Sequence, residues 1–492
     1  MSDLSNNTNI IEKTGDYNLN KVRILSYRKN EEEGTLYEMD IKPITVTIEL
    51  TEDIFTGFMQ GSIIVYDTQD VRSILPITGL EKLELSFNTP GVNGVHAVRE
   101  EGHPFHIYKI ESAMQDKTNP RAQYYQIFFC SKEMYYNSFN RISQAYAGPI
   151  EEGVEKILRA KDGLNSKKQF IYEPTKTNTK FVIPNLKPLN AITLMGNEAK
   201  SGLYNNTGYV FYEDARGFHF RSIESMLALG GAVARPALFK YNYQITNTQK
   251  KDVEKDLSNV IGYNFERPAN MLYNLNEGMI ASKLITHDAF NKRIEETNFD
   301  YLKSFGDYFH TEHEDGAKAV LKSLLPFVNF EDTNKDLSQQ YNAKLMIDSN
   351  TSKIHNDYEL IDPKDVLQPR VSQRLQMRNV NLSLHVYGNT LLHAGDIITF
   401  DMPLLRPLGD QDRLQQNPYW SGRYLIMAIK HTISQVDQRH EMSLKCMKDA
   451  VRTEYATETA NNEVGEREYN QIIHSIYESD KDYLKDDILQ DV

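Results

Sequence analysis

Gly395-Asp396-Ile397-Ile398-Thr399-Phe400 and Gly422-Arg423-Tyr424-Leu425-Ile426-Met427-Ala428-Ile429-Lys430-His431 are followed by His440-Glu441-Met442-Ser443-Leu444-Lys445-Cys446. These are three short runs of β-forming residues with polar, turn-type residues between them, which predicts a meander of antiparallel strands. The same layout stands near the start of the chain. Leu83-Glu84-Leu85-Ser86-Phe87 precedes a long polar loop, then come Phe105-His106-Ile107-Tyr108-Lys109-Ile110 and Tyr124-Tyr125-Gln126-Ile127-Phe128-Phe129-Cys130. The separations agree, 21 residues from Ile107 to Phe128 and 20 from Tyr424 to Leu444, and Cys130-Ser131-Lys132-Glu133 ends one run as Cys446-Met447-Lys448-Asp449 ends the other. One β-module is used twice.

Working outward, Ile44-Thr45-Val46-Thr47-Ile48-Glu49-Leu50 alternates apolar and polar residues, and Gly61-Ser62-Ile63-Ile64-Val65-Tyr66 follows. Alternation marks a strand with one buried face. Five strands in so short a span fit a small antiparallel barrel or sandwich. The loop from Asn88 to Gly102 reads as a surface excursion.

Beyond residue 134 the period changes. Ile150, Val154, Ile157 and Leu158 share a helical face, Pro188 opens a second helix, and Tyr209-Val210-Phe211-Tyr212 with Phe218-His219-Phe220 forms a hairpin with a long turn. Residues 236–243 and 260–265 look like opening strands of the second module, so the stretch from about 273 to 370 is inserted within it. Helical stretches are expected near Phe290–Phe309 and Ala317–Leu325.

The resulting expectation is a mainly β chain with α/β parts: two homologous small antiparallel β-barrels, an α/β domain between them, an insertion in the second barrel and a C-terminal helical arm. Its divisions are a flexible N-terminal arm (1–20), the first barrel (21–133), the α/β domain (134–232), the start of the second barrel (233–272), an insertion packing with the α/β domain (273–370), the rest of the second barrel (371–450) and the arm (451–492). In that arm Ile472, Ile473, Ile476, Tyr477, Tyr483, Leu484, Ile488 and Leu489 recur at roughly helical spacing.

The 492 residues carry a net charge of −13, which argues against a general nucleic-acid-binding face but suits a wall past which DNA slides. Two cysteines exclude a disulfide framework; their matching positions predict small buried residues in separate cores. The N-terminus lacks a signal-peptide pattern and no apolar window spans a bilayer, so folding in a reducing cytoplasm is expected.

Catalytic signatures are missing: no nucleophile elbow, Walker loop, dinucleotide fingerprint or Cys-x-x-Cys pair occurs. His310-Thr311-Glu312-His313-Glu314-Asp315 has metal-ligand residue types but no zincin spacing, and reads as a solvated loop or helix end. His431 and His440 flank the last hairpin and are expected to pair across strands rather than catalyse. No enzyme, cofactor or metal is expected.

The run Gly388-Asn389, His393-Ala394-Gly395-Asp396, Gly422-Arg423-Tyr424 and Ile429-Lys430-His431 resembles the end of the tail hub family, which includes baseplate hubs of contractile-tailed phages, late-control tail proteins and the base of type VI secretion spikes. That family commonly has Pro where Ala394 stands. The helix at Pro188-Leu189-Asn190 and the hairpin ending in Ser222-Ile223-Glu224 resemble the hub's α/β domain, so the likeness runs in order from about 40 to 450. It implies structural motif residues at Gly388, Asn389, Gly395, Asp396, Gly422, Tyr424 and His431. It also implies a homotrimeric, pseudo-sixfold ring between the tail tube and a central spike, with wedge proteins outside and a lumen for DNA and the tape-measure protein. Such a protein would be assembled in the host cytoplasm, reside in the virion and insert in no membrane. A separate spike would be gripped by Ile472, Ile473, Ile476, Tyr477 and Leu484. Two alternatives are the hub of a non-phage contractile injection device and a carbohydrate-binding or enzymatic baseplate protein; Trp420, the only tryptophan, speaks against the latter.

Overall fold

A computed structural model describes residues 11–451, apart from 30–35, 244–252, 268–270, 313–321, 324–338, 350–361, 404–415 and the shorter gaps at 76, 116, 118, 120, 177, 205, 230–232, 290, 379 and 418. The proposed grip residues in the C-terminal arm lie outside the described residues, as do His313, Glu314 and Asp315. Among the described residues, no helix is long and apolar enough to cross a membrane.

The chain is mainly β, as expected. The first module holds β1 (Asn18–Lys29), β2 (Leu36–Asp40), β3 (Thr45–Asp53), β4 (Gln60–Asp67), a short α1 (Val71–Ile74), β5 (Lys82–Asn88), β6 (Val95–Ala97), β7 (Phe105–Gln115) and β8 (Gln123–Cys130). Alternation places Ile48, Leu50, Ile63, Val65, Leu83, Leu85, Ile107 and Ile127 in one apolar core. The strand order is β3-β4-β8-β7-β5-β1-β2. The boundary expected at residue 20 moves, since Leu19 is buried in this core and β1 opens at Asn18.

The α/β domain follows with α2 (Lys132–Phe139), β9 (Ile142–Pro149), α3 (Ile150–Arg159), β10 (Phe170–Tyr172), β11 (Asn178–Leu186), α4 (Pro188–Asn197), β12 (Tyr209–Asp214), β13 (Gly217–Ser222) and α5 (Ile223–Leu227). Both expected helices are present, and Ile150, Val154, Ile157 and Leu158 pack against Ile192, Met195 and Phe220. The turn between β12 and β13 is short, because Asp214 pairs with Gly217 and only Ala215 and Arg216 intervene. Gly217, at φ +139°, lets the chain reverse that tightly.

A small pair, β14 (Ala228–Leu229) and β15 (Val233–Ala234), leads into the second module: β16 (Phe239–Asn242), α6 (Val253–Ser258) and β17 (Gly262–Arg267). The insertion contributes α7 (Met271–Asn276), β18 (Ala281–Asp288), β19 (Arg293–Asp300), α8 (Tyr301–Ser304), β20 (Lys322–Ser323), β21 (Leu345–Ser349) and α9 (Pro363–Met377). Of the helical stretch expected near Phe290–Phe309, only Tyr301–Asp307 is helical, and Arg293–Asp300 is strand. Asp288 caps a turn by accepting from the Asn291 backbone N–H, and alternation from Arg293 to Asp300 pairs β19 with β18. Within Ala317–Leu325 the described residues Lys322 and Ser323 are also strand. The insertion touches the α/β domain where Thr207 donates to the Val366 carbonyl and the Phe309 N–H to Glu224, at 3.2 and 2.6 Å.

The module resumes with β22 (Val380–Tyr387), β23 (Ile397–Asp401), β24 (Gly422–Ser434), β25 (Arg439–Lys448) and β26 (Ala450–Val451). Its order is β17-β22-β25-β24-β23-β16, around a core of Leu382, Leu384, Phe400, Tyr424, Ile426, Leu444 and Cys446. A bridge from Asn242 to Asn259, just before β17, brings the two ends of this path together.

The duplication extends to irregularities. The β7–β8 ladder carries a β-bulge between Ile107 and Lys109, and the β24–β25 ladder carries one between Ile426 and Ala428. Aligning the bulges matches Ile107 to Ile426 and Phe129 to Cys446. The Ile107 N–H donates to the Glu81 carbonyl as the Ile426 N–H donates to that of Asp396. Each of those acids folds back to accept N–H groups of its own turn, from Thr78, Gly79 and Leu80 in one module and His393 in the other. The bulge shifts the expected correspondence of the two cysteines by one residue, although both are buried, free thiols.

Candidate assembly interface where the two modules join

The modules share one continuous sheet. The first half of β24 pairs with β23, and its second half, Ala428–Ser434, pairs antiparallel with Asp53–Thr47 of β3. A strand of 13 residues can serve both neighbours because it outruns its own module. Ile433 thereby enters the core of the first module. Backbone bonds from Ile54 to Met427 and from Gln435 to Val46 continue the seam at each end. Lys430 reaches Glu49 across the outer face at 2.6 Å, a solvated pair that contributes at most about 1 kcal/mol.

A polar knot lies at the inner end of the seam. Glu52 is buried at a position where β3 should present an apolar residue, in step with Ile48 and Leu50. It accepts the N–H groups of Ala394 and Ala215, each at 3.2 Å, and Nδ1 of His393 at 3.4 Å. Asp214 accepts from Arg216 and His219, while Arg216 also reaches Asp396 at 3.2 Å. Six acidic or basic groups from three domains thus share one site.

Burial pushes the Glu52 carboxyl up, but His393 outweighs it and holds the carboxyl below its usual range. Burial pulls His393 down, yet Glu52 lifts it above the ordinary imidazole value. Glu52, Asp214 and His393 place one ligand atom each within 4.8 Å of one another, a geometry that could suit a cation. Their oxygens already accept N–H donors, however, and the Arg216 guanidinium supplies positive charge. The arrangement does the work of a charged tie between domains.

Of the motif residues, Gly395 and Asp396 adjoin this knot, and the others make contacts elsewhere in the second module. Gly395 has φ +89°, and a Cβ there would meet the Tyr212 hydroxyl at 2.5 Å. The Asp396 carboxylate accepts the His393 N–H at 2.9 Å and anchors that turn. Gly388 lies against the His440 ring, Asn389 caps a turn by accepting the Leu391 N–H, and the Tyr424 hydroxyl donates to the Trp420 carbonyl. Gly422, at φ +126°, lets Glu312 approach the backbone. His431 and His440 pair as expected, Nδ1 to Nε2 at 3.1 Å, with Phe87 of the first module edge-on to both rings. Burial drives His431 down to about 4 and His440 further, so the pair is neutral.

Two expectations change here. The Asn88–Gly102 loop is part of the junction rather than an excursion: β6 pairs with β5, and Thr89 and Thr390 exchange backbone-to-hydroxyl bonds at 3.1 Å in both directions. His310, Thr311 and Glu312 are buried rather than solvated. His310 and Thr311 bond Asp449, and Glu312 pairs with Lys448 at 2.6 Å. Burial lowers His310, but Asp449 more than restores it, so this too is an ion pair. Neither Glu52 nor Thr390 drew attention in the sequence. For Glu52 a signal existed, an acid on the inward parity of an alternating strand.

The architecture can be compared with known proteins. Neither a protein-family model nor a curated protein sequence matches the chain. Solved structures do resemble it. A tail protein from Neisseria meningitidis is 10% identical, with 88% of this chain and 97% of the other covered and a TM-score of 0.49. The 43 kDa tail protein of prophage MuSo2 from Shewanella oneidensis is 8% identical over 88% and 99%, with a TM-score of 0.47. A component of the type VI secretion system of E. coli is 10% identical over 84% and 75%, with a TM-score of 0.37.

Proposed function

We propose that the chain is the structural hub of a phage tail baseplate: three copies form a pseudo-sixfold ring that joins the tail tube to a central spike around a channel for DNA and the tape-measure protein. The observation that carries this reading is the repeated strand order with one joint made and its counterpart open. Inside the chain the second half of β24 pairs with β3. The equivalent pieces are the second half of β7 and the strand β17. Among the described residues, β17 ends the sheet path, and β7 beyond Lys109 pairs only with β8.

A sheet edge exposes unpaired N–H and C=O groups and is a template for another strand. Two edges that differ in kind but match an internal joint generate a head-to-tail ring, not a twofold dimer. Three copies place six modules in that ring and give each the neighbour it has within the chain. The net charge of −13 suits a channel wall to which DNA does not adhere. The sequence motifs around Gly388, Gly395 and Gly422 support the same assignment, and the role is mechanical rather than catalytic.

The bulge alignment sets the register of the open joint. Thr432 stands opposite Glu49 in the internal one. Met114 corresponds to Thr432 through Tyr124, and Asn264 corresponds to Glu49 through Ser383. Met114 should therefore face Asn264 of a neighbouring copy. Oxidising a Met114→Cys/Asn264→Cys variant of the full chain at high concentration should give covalent species up to a trimer, whose end-on electron-microscope averages show six lobes about a hole. Trimers lacking the cross-link would overturn the register. A chain that remains monomeric would overturn the ring.

A further inference from the structure

A second feature stands apart from the ring and does not depend on it. The α/β domain carries an open cavity of about 390 Å³, lined by Tyr172, Leu203, His219, Arg216, Arg221 and Arg235 among others. Such a volume lies in the range that small-molecule sites occupy.

The three arginines are not alike. Arg216 is neutralised by Asp214 and Asp396. Arg221 and Arg235 have no carboxylate partner among the described residues. Instead both guanidinium groups donate to one oxygen, the Ser225 carbonyl, at 2.5 and 3.3 Å. Two positive charges are thereby held together at a cavity wall. The remaining lining acid, Glu173, is committed elsewhere, accepting the Ser222 N–H at 2.7 Å and the Ser201 hydroxyl.

A donor is also left over. Arg235 Nε is buried without a hydrogen-bond partner. An unsatisfied buried donor costs roughly 1–3 kcal/mol, and more for a charged group. Burial, followed by the charge of Arg221, holds Arg235 below the usual guanidinium range. A pair of clustered cations with a spare N–H group is relieved by one kind of occupant, an oxyanion that accepts from both forks.

We propose that this cavity binds a small multivalent oxyanion, of the phosphate or polycarboxylate class, between Arg221 and Arg235. The Arg235 Nε supplies a further donor. The adjoining Tyr172 ring and Leu203 give the site an apolar side, so an anion with a carbon skeleton fits as well as a bare phosphate.

Inorganic phosphate and citrate serve as probes on the full chain, with potassium chloride at matched ionic strength as the reference. Thermal unfolding should show a saturable rise of about 2–4 °C with either probe beyond the chloride curve. In Arg221→Gln/Arg235→Met the saturable part should vanish, while the ligand-free protein is at least as stable, since two repelling charges are gone. Should that variant fail to fold, protection of Arg221 and Arg235 from phenylglyoxal by phosphate, mapped by mass spectrometry on the unaltered chain, replaces it. An unfolding temperature that follows ionic strength alone, together with unprotected arginines, would overturn the site.

Discussion

The two β-modules share strand order, a bulge and an acid-capped turn, yet they use their edges differently. In the first module β3 and β4 are joined by a few residues, and β3 receives a foreign strand. In the second, the corresponding strands β17 and β22 are separated by the whole insertion, and the edge of β17 carries no partner ladder among the described residues. A duplicated fold therefore does not imply duplicated surroundings. What the repeat conserves is the path of hydrogen bonds through the sheet. What differs is how each joint is locked. The internal joint has a buried charged knot, two threonines and a histidine pair behind it, and so should be permanent.

The knot offers the largest effect with which to break that contrast. Replacing Glu52 by Leu leaves His393 and two backbone N–H groups buried without their acceptor. Removing one partner of a buried pair costs about 3–5 kcal/mol. Chemical denaturation should show that loss, with the first module separating from the second. If stability falls by less than about 1 kcal/mol, the knot is not what holds the modules together.

The pH response sharpens the same point. His431 has a folded-state pKa of about 4 against an ordinary 6.5. A histidine lowered on folding binds fewer protons in the native state, so its stabilisation is complete above 6.5 and is lost as pH falls toward 4. One pKa unit is worth 1.36 kcal/mol, which gives about 3 kcal/mol for His431 alone. His393 is shifted up, so its share runs the other way: present below 6.5, lost as pH rises through the raised value. Urea titrations from pH 4 to 8 should therefore show stability climbing on the acid limb and easing on the alkaline one. Glu52→Leu should flatten the alkaline limb.

The glycines separate the two turns more gently. Ala at Gly395 must adopt φ +89° and also displace the Tyr212 hydroxyl, a cost of about 1–3 kcal/mol. Gly79 in the first module has φ +96°, but its nearest neighbour would be the Tyr108 carbonyl at 3.3 Å. Gly79→Ala should cost about 1 kcal/mol, the conformational part alone. Equal losses in thermal melts would mean that packing against the α/β domain adds nothing.

How much of this was legible beforehand follows from what each feature depends on. Every strand of the three-strand repeat was readable, because alternation of apolar residues is local and one face is buried. The helices at Ile150 and Pro188 were readable for the same reason at a different period. The strand β19 was misread as helix, since Ile294 and Phe299 are its only large apolar residues and most of its faces are solvated. The seam was invisible. Nothing in β3 announces that its free side will meet β24 rather than water, because ladder bonds use backbone groups common to all residues. Glu52 and His393, 341 positions apart, become a pair only once that seam exists. The motif at Gly395-Asp396 was recognised as a pattern, but its physical content, a carboxylate folded onto its own turn, needed the first module's Glu81 beside it.

The open joint is the subtlest place to test the comparison, because a change there should leave the monomer alone. Met114 is 65% exposed and Asn264 is also exposed, so charges at either position disturb no core. Surface substitutions of this kind usually stay within about 0.5 kcal/mol. Across a ladder, however, like charges directly opposite one another are destabilising. Met114→Glu/Asn264→Glu should therefore melt like the parent chain yet sediment as a monomer, while Met114→Glu/Asn264→Lys should recover the trimer. Loss of assembly in both variants would mean that crowding, not pairing, is at fault. Assembly retained in both would place the contact between copies away from β7 and β17, and the likeness between the internal joint and the outer one would end at strand order.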